Sequence, residues 1–81
     1  MQYLATFHTH FDAMRFAREC KKKEIYNEIK PVPRRVSSSC GSCVVFEKNK
    51  DELKDYITTS MEAVYQVTES GYELMYQEQE E

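Results

Sequence analysis

The pattern of apolar and polar residues along the chain predicts four strands and a helix between the first two. Residues 3–7, 44–46 and 64–68 are short runs rich in aromatic and β-branched side chains, which is typical of strands. Residues 25–29 alternate apolar with polar positions, as a strand with one buried face does. After the first strand, apolar residues recur at the i, i+3, i+4 and i+7 spacing of one buried helix face, at Ala13, Phe16, Ala17 and Cys20.

Other signals mark where helices begin and strands end. Thr9 and Asn49 are each followed three residues later by an acidic residue, the spacing of a helix-capping pair. A second helix therefore begins near Asn49, and its buried face would consist of Leu53, Tyr56, Ile57 and Ser60 or Met61. Pro31 ends the second strand, and a turn at Gly71 precedes residues 72–76, which can add a short edge strand.

The resulting order, β-α-β-β-α-β, predicts a ferredoxin-like α+β fold with an antiparallel sheet and two helices on one face. Right-handed crossovers place the first and third strands side by side at its centre. Residues 1–76 form the single predicted domain, and residues 77–81 are a polar acidic tail that we expect to be disordered. This topology brings six side chains of chemical interest to one edge of the sheet: His8, His10, Arg34, Arg35, Cys40 and Cys43.

Composition and charge narrow the class of protein. The chain has 81 residues, of which 41% are hydrophobic and 31% charged, as expected for one small globular domain. It contains no run of about 18 apolar residues that would predict a membrane helix, so we expect no membrane association and a cytoplasmic location. The formal net charge is -3 and the basic residues form only short clusters, which argues against a nucleic-acid partner.

The chain has three cysteines, an odd number that in a cytoplasmic protein indicates reduced thiols rather than a disulfide framework. Cys40 and Cys43 form a Cys-x-x-Cys pair just before an apolar strand. Two thiols at this spacing can form a disulfide, share a metal ion or pass a sulfur atom between them, and each of these reactions uses the thiolate. We therefore predict that Cys40 and Cys43 are the working groups of the protein.

The residues before and between these cysteines are suited to a thiolate or a bound anion. Arg34 and Arg35 would supply positive charge in a geometry that suits oxyanions. The hydroxyls of Ser38 and Ser39 could donate hydrogen bonds to a sulfur anion or an oxyanion, and Gly41 allows the backbone a close approach or a positive φ. We predict these five residues to be the binding residues of the site.

Other interpretations compete with thiol chemistry. Cys43 adjoins an apolar run and could be a small buried core residue, as Cys20 is expected to be on the helix face. Zinc is the one cofactor to consider, held by His8, His10, Cys40 and Cys43, although a lone Cys-x-x-Cys supplies only two of the four usual ligands. A thioredoxin-type oxidoreductase is disfavoured, because its cysteine pair would begin a helix and this pair precedes a strand.

One segment resembles a known family. Residues 31–41 are Pro-Val-Pro-Arg-Arg-Val-Ser-Ser-Ser-Cys-Gly, similar to the central motif of the small selenium/sulfur carrier protein-like domains. The aromatic opening strand, the Asp-Ala-Met segment at residues 12–14 and the tyrosine-containing residues 71–74 also resemble that family. The resemblance spans nearly the whole chain, and the central motif is its specific part.

The resemblance implies a carrier of reduced sulfur or selenium, with Cys40 at the position of the family's motif cysteine. It does not extend to Cys43 or to the two histidines. We predict a non-enzymatic carrier or relay in which Cys40 holds its cargo as a persulfide or selenosulfide and Cys43 releases it by forming a disulfide. Donor and acceptor proteins would be its partners, and the edge strand could support a homodimer. The alternative is a zinc-binding or protein-interaction module without covalent thiol chemistry.

Overall fold

The computed structural model describes residues 1–79 and contains five strands and two helices. In chain order these are β1 (Gln2–Phe7), α1 (His10–Lys22), β2 (Asn27–Pro31), β3 (Ser42–Glu47), a 3-10 helix (Lys50–Tyr56), β4 (Met61–Thr68) and β5 (Gly71–Gln77). Over these described residues, neither helix has the length and apolar character needed to cross a membrane.

The five strands form one antiparallel sheet in the order β2-β3-β1-β4-β5. The prediction that the first and third strands are antiparallel neighbours inside the sheet is confirmed, since β1 pairs with β3. The strict ferredoxin-like order is not matched, because β5 adds a fifth strand beside β4. The second helix is a 3-10 helix of seven residues, in which Leu53 is the one buried side chain and Asn49 makes no side-chain capping bond.

The sheet buries a different apolar cluster on each face. On one face, α1 and Leu53 of the 3-10 helix pack against β1, β3 and β4, which confirms that both helices share a face. On the other face, Leu4, Cys43 and Val45 are covered by Val36 from the connection between β2 and β3. That connection, residues 32–41, contains most of the motif that the sequence singled out.

Helix α1 forms as its sequence predicts. The Thr9 hydroxyl accepts a hydrogen bond from the Asp12 backbone N–H at 3.1 Å, satisfying one of the free N–H groups of the first turn. The four residues predicted for its buried face, Ala13, Phe16, Ala17 and Cys20, are all buried. Cys20 is therefore a core residue, as predicted, and its burial raises the pKa of its thiol to about 11.

Several element boundaries differ from the prediction. β2 is shifted two residues towards the C-terminus and includes Pro31, which is tolerated because β2 is an edge strand. Met61, assigned to the second helix as an alternative to Ser60, begins β4 instead. β5 extends to Gln77, which the sequence placed in the polar tail, and Glu80 and Glu81 lie outside the described residues.

Candidate functional site

The segment 32–41 forms a closed loop at the end of the sheet where β1 ends and β3 and β4 begin. Its two ends are joined by a hydrogen bond from the Val32 N–H to the Gly41 carbonyl at 3.0 Å. Gly41 has a φ of 75°, in the left-handed region that favours glycine, which explains why this residue type stands beside Cys40. Val36 is 6% exposed and attaches the middle of the loop to the sheet. We call residues 32–41 the thiol loop.

Glu62 attaches the other half of the thiol loop to β4. Phe7 of β1 pairs with Met61 and Thr6 pairs with Ala63, so Glu62 is the extra residue of a β-bulge. Bulges redirect side chains and are common next to functional sites. Here the bulge places the Glu62 carboxylate against the serines of the motif.

Three donors of the thiol loop bind this carboxylate. Oε1 accepts hydrogen bonds from the Ser39 backbone N–H at 2.9 Å and from the Ser38 hydroxyl at 3.2 Å, and Oε2 accepts one from the Ser39 hydroxyl. Burial by itself would raise the pKa of Glu62, but the hydrogen bonds from Ser39 and Ser38 outweigh it and lower the pKa below the usual glutamate value. In the described conformation the two serines therefore bind a carboxylate of the protein itself, and their binding of a sulfur anion or an external oxyanion stays a prediction.

Sequence analysis did not identify Glu62. It lies in an ordinary run of strand residues, 24 positions after Ser38, and no local spacing connects the two. The available signal was the row of consecutive serines, because hydroxyl groups held in a partly buried loop need acceptors.

Cys40 is partly buried at the end of the sheet, on the face that the helices cover. Its side chain packs against the helix-face cluster, and its thiol donates a hydrogen bond to the Ser42 carbonyl at 3.3 Å. The Ser38 hydroxyl oxygen accepts a hydrogen bond from the Cys40 backbone N–H at 3.4 Å, and it lies 3.9 Å from Sγ. The thiol is thus held in a defined position, and the residue is partly exposed.

Cys43 belongs to β3 and lies on the opposite face of the sheet. It is 0% exposed and packs with Leu4, Val36 and Val45. Burial raises the pKa of its thiol, and the positive charge of Lys30 only partly opposes this effect. All three cysteines are free thiols, and the two members of the Cys-x-x-Cys pair point into different clusters.

The predicted arginines do not lie together at Cys40. Both are exposed, and within residues 1–79 neither makes an ion pair. Arg35 Nη1 lies 3.6 Å from the position that a Cβ on Gly71 would occupy. Gly71 pairs with Thr68, six residues along β4 from Glu62, which is about 20 Å of strand. Arg35 therefore points to the opposite end of the sheet from the cysteine.

The two histidines lie at the predicted edge but have different partners. His10, the first residue of α1, places Nδ1 2.9 Å from the Ser42 hydroxyl. His8 places Nε2 2.9 Å from a carboxylate oxygen of Glu78, and Nδ1 3.8 Å from Glu62. In the part of the chain that the structure describes, the potential metal ligands within 4.8 Å of one another are His8, Glu62 and Glu78, so the structure does not assemble the predicted zinc set of His8, His10, Cys40 and Cys43.

The importance of Glu62 for the thiol loop can be tested with Glu62→Gln. Because a hydrogen bond to a charged group contributes about 1.5–3 kcal/mol, we expect amide hydrogen exchange at Ser39 to accelerate roughly tenfold or more. The lowered pKa means that the carboxylate stabilises the fold above the usual glutamate pKa and loses this effect as the pH falls through its folded-state value. Acidification should therefore release the thiol loop in the wild type, and it should have little effect on the loop in Glu62→Gln.

The matched control is Glu73→Gln, an exposed glutamate of β5. It should leave exchange at Ser39 unchanged. Equal exchange rates in the wild type and Glu62→Gln would show that Val36 and the Val32–Gly41 hydrogen bond hold the loop without the carboxylate.

Comparison with known protein families identifies the family of this chain. A family model described as "Putative Se/S carrier protein-like" matches residues 2–68, a span that begins with β1, ends with β4 and contains the whole thiol loop and Glu62. The comparisons with curated proteins and with solved structures found no significant match.

Proposed function

Because this chain belongs to the Se/S carrier protein-like family, we propose that it carries reduced sulfur or selenium on Cys40, as a persulfide or selenosulfide. One structural observation supports this site above the others. Of the three cysteines, Cys20 and Cys43 are buried in the core, whereas Cys40 is partly exposed on a loop held at both ends. A carrier needs a thiol that a partner can reach and that returns to the same position after each transfer.

The loading step is an exchange between a donor persulfide and the Cys40 thiol. The Cys40 sulfur, as thiolate, attacks the outer sulfur of the donor, so that a new S–S bond forms and the donor's own S–S bond breaks. The donor leaves as a thiolate and takes up the proton that Cys40 lost, which leaves no net oxidation or reduction. Selenium follows the same scheme when the outer atom of the donor is selenium.

Unloading is the same reaction towards an acceptor. An acceptor thiolate attacks the outer atom on Cys40, and Cys40 leaves with the electron pair of the broken bond and regains a proton. The described conformation favours this route over resolution by Cys43, because the Cys43 thiol is fully buried on the other face of the sheet. Donor and acceptor proteins are thus the partners that the proposal requires.

The surroundings of Cys40 hold its sulfur in one position. The Ser42 carbonyl accepts a hydrogen bond from the thiol, with the oxygen 3.3 Å from Sγ, and this bond is lost when the thiolate forms; the Ser38 hydroxyl lies 3.9 Å from the sulfur. Glu62 holds Ser38 and Ser39 from the side of β4, so the cysteine is presented by an anchored segment. This arrangement positions a sulfur atom for transfer. The chain itself would act as a carrier and would turn over no substrate.

The test is intact-mass measurement after incubation with a small persulfide donor. We expect the wild-type protein to gain one sulfur atom per chain, to lose it on treatment with dithiothreitol, and to show the addition on Cys40 in the fragment-ion spectrum of the peptide that contains Cys40 and Cys43. Excess donor should not be consumed beyond one equivalent per chain. An unchanged mass, or an addition that fragment ions place equally on Cys20 and Cys43, would overturn the proposal.

A further inference from the structure

A second cluster of chemically active side chains lies beside the thiol loop. His8 follows β1, Glu62 is the bulge residue of β4, and Glu78 follows β5, so three separate segments of the chain meet there. One potential ligand atom of each lies within 4.8 Å of the other two. We propose that His8, Glu62 and Glu78 form a binding site for a divalent transition-metal ion, independent of the cysteines.

The backbone holds these three segments in position. The His8 N–H donates to the Ser60 carbonyl at 3.4 Å, and the Glu78 N–H donates to the Glu62 carbonyl at 2.9 Å. The second of these bonds holds Glu78, just after the end of β5, beside Glu62 of β4 at the same end of the sheet. The cluster thus consists of side chains whose backbones are already fixed relative to one another, which reduces the cost of assembling a site.

Glu62 is also prepared as a ligand. Its carboxylate accepts hydrogen bonds from Ser38 and Ser39, and these bonds fix the orientation of the carboxylate. Each carboxylate oxygen has two lone pairs, and the three bonds from the serines leave one lone pair free, on Oε2. Such outer-shell hydrogen bonds are a general feature of carboxylate and histidine ligands.

The ligand types determine which metal the site would select. One imidazole and two carboxylates suit Zn²⁺ and similar transition metals, with water completing the coordination, whereas Mg²⁺ prefers oxygen ligands alone. All three side chains are partly exposed: His8 by 41%, Glu78 by 32% and Glu62 by 19%, so water can reach the ion. A bound ion would connect the end of β5 to the residue that anchors the thiol loop.

Zn²⁺ binding to the protein without a polyhistidine tag tests the site by calorimetry. We expect one Zn²⁺ per chain in the wild type, and Mg²⁺ in equal amount should not displace it. His8→Gln and Glu78→Gln each remove one ligand, and because even outer-shell changes cost 10–100-fold in metal affinity, we expect each to weaken binding roughly 100-fold or more. Both substitutions lie at the surface, so the far-ultraviolet spectrum should be unchanged.

Two control variants separate this site from other ways of binding zinc. His10→Ala removes the other histidine, and Cys40→Ser removes the accessible thiol; both should leave the affinity for Zn²⁺ within about twofold. Loss of binding in Cys40→Ser with retention in Glu78→Gln would overturn the proposal and assign the metal to the thiols. No binding to the wild type would also overturn it, and His8 would then be only an ion-pair partner of the two glutamates. Neither result bears on sulfur loading, which the mass measurement tests separately.

Discussion

Replacement of Cys40 by serine is expected to abolish sulfur loading completely. The hydroxyl of serine occupies nearly the same space but cannot form the S–S bond on which the proposed carrier chemistry depends. The fold should be unaffected, because Cys40 lies in a loop that is held by Val36, Glu62 and the Val32–Gly41 hydrogen bond. The measurement is the intact mass after incubation with a persulfide donor, with thermal unfolding as a check on folding.

Cys43→Ser is the matched comparison, and the structure predicts a different result for it. Cys43 is buried and its pKa is raised, so little thiolate forms and a donor cannot reach it. The variant should still load one sulfur atom, although a buried hydroxyl in an apolar cluster will lower its stability. Alkylation of the native wild type should accordingly modify Cys40, and modify Cys20 and Cys43 only after denaturation.

Two outcomes would contradict this assignment. Full loading of Cys40→Ser would show that another residue carries the cargo. Loss of loading in a folded Cys43→Ser variant would show that Cys43 takes part in loading and must leave its cluster to do so, because in the described conformation the two thiols face opposite sides of the sheet.

Replacement of Phe46 by alanine is expected to remove a large part of the stability of the domain. Phe46 is 1% exposed and its ring lies 5.1 Å from that of Phe16 and 5.8 Å from that of Tyr3, so it joins β3 to α1 and to β1. Truncation of a buried phenylalanine costs about 3–5 kcal/mol. At about 0.05–0.15 kcal/mol per residue, a domain of 81 residues has roughly 4–12 kcal/mol in total.

The midpoint of urea denaturation measures this loss, and Phe11→Ala provides the control. Phe11 is 62% exposed, and the guanidinium of Arg15 lies 5.4 Å from the centroid of its ring. The same substitution there should cost less than about 1 kcal/mol. Similar losses for the two variants would mean that the contact between sheet and helix does not provide the main stability of the core. In Phe46→Ala, Cys20 and Cys43 should also become reactive in the absence of denaturant.

The sequence by itself determined the elements that depend on local periodicity and on backbone chemistry. The i, i+3, i+4, i+7 spacing identified the buried face of α1, and Thr9 identified its first turn, because both signals operate within a few residues. The resemblance of residues 31–41 to a family motif indicated the family, which the family match confirms, and it led to the prediction for Cys40. The second helix was less predictable, since a short segment with one buried residue can equally form a 3-10 turn.

Only the tertiary structure decided how the chemically active side chains are paired. The apolar run at residues 44–46 does not alternate, so the sequence could not show which face its members take; β3 in fact begins at Ser42, and its two-residue period turns Cys43 away from the helices. The bulge in β4 brings the Glu62 carboxylate to the serines, and the path of the thiol loop places the Arg35 side chain beside Gly71, far from Cys40. These partners are distant in sequence and depend on strand register and loop path, which local patterns do not encode.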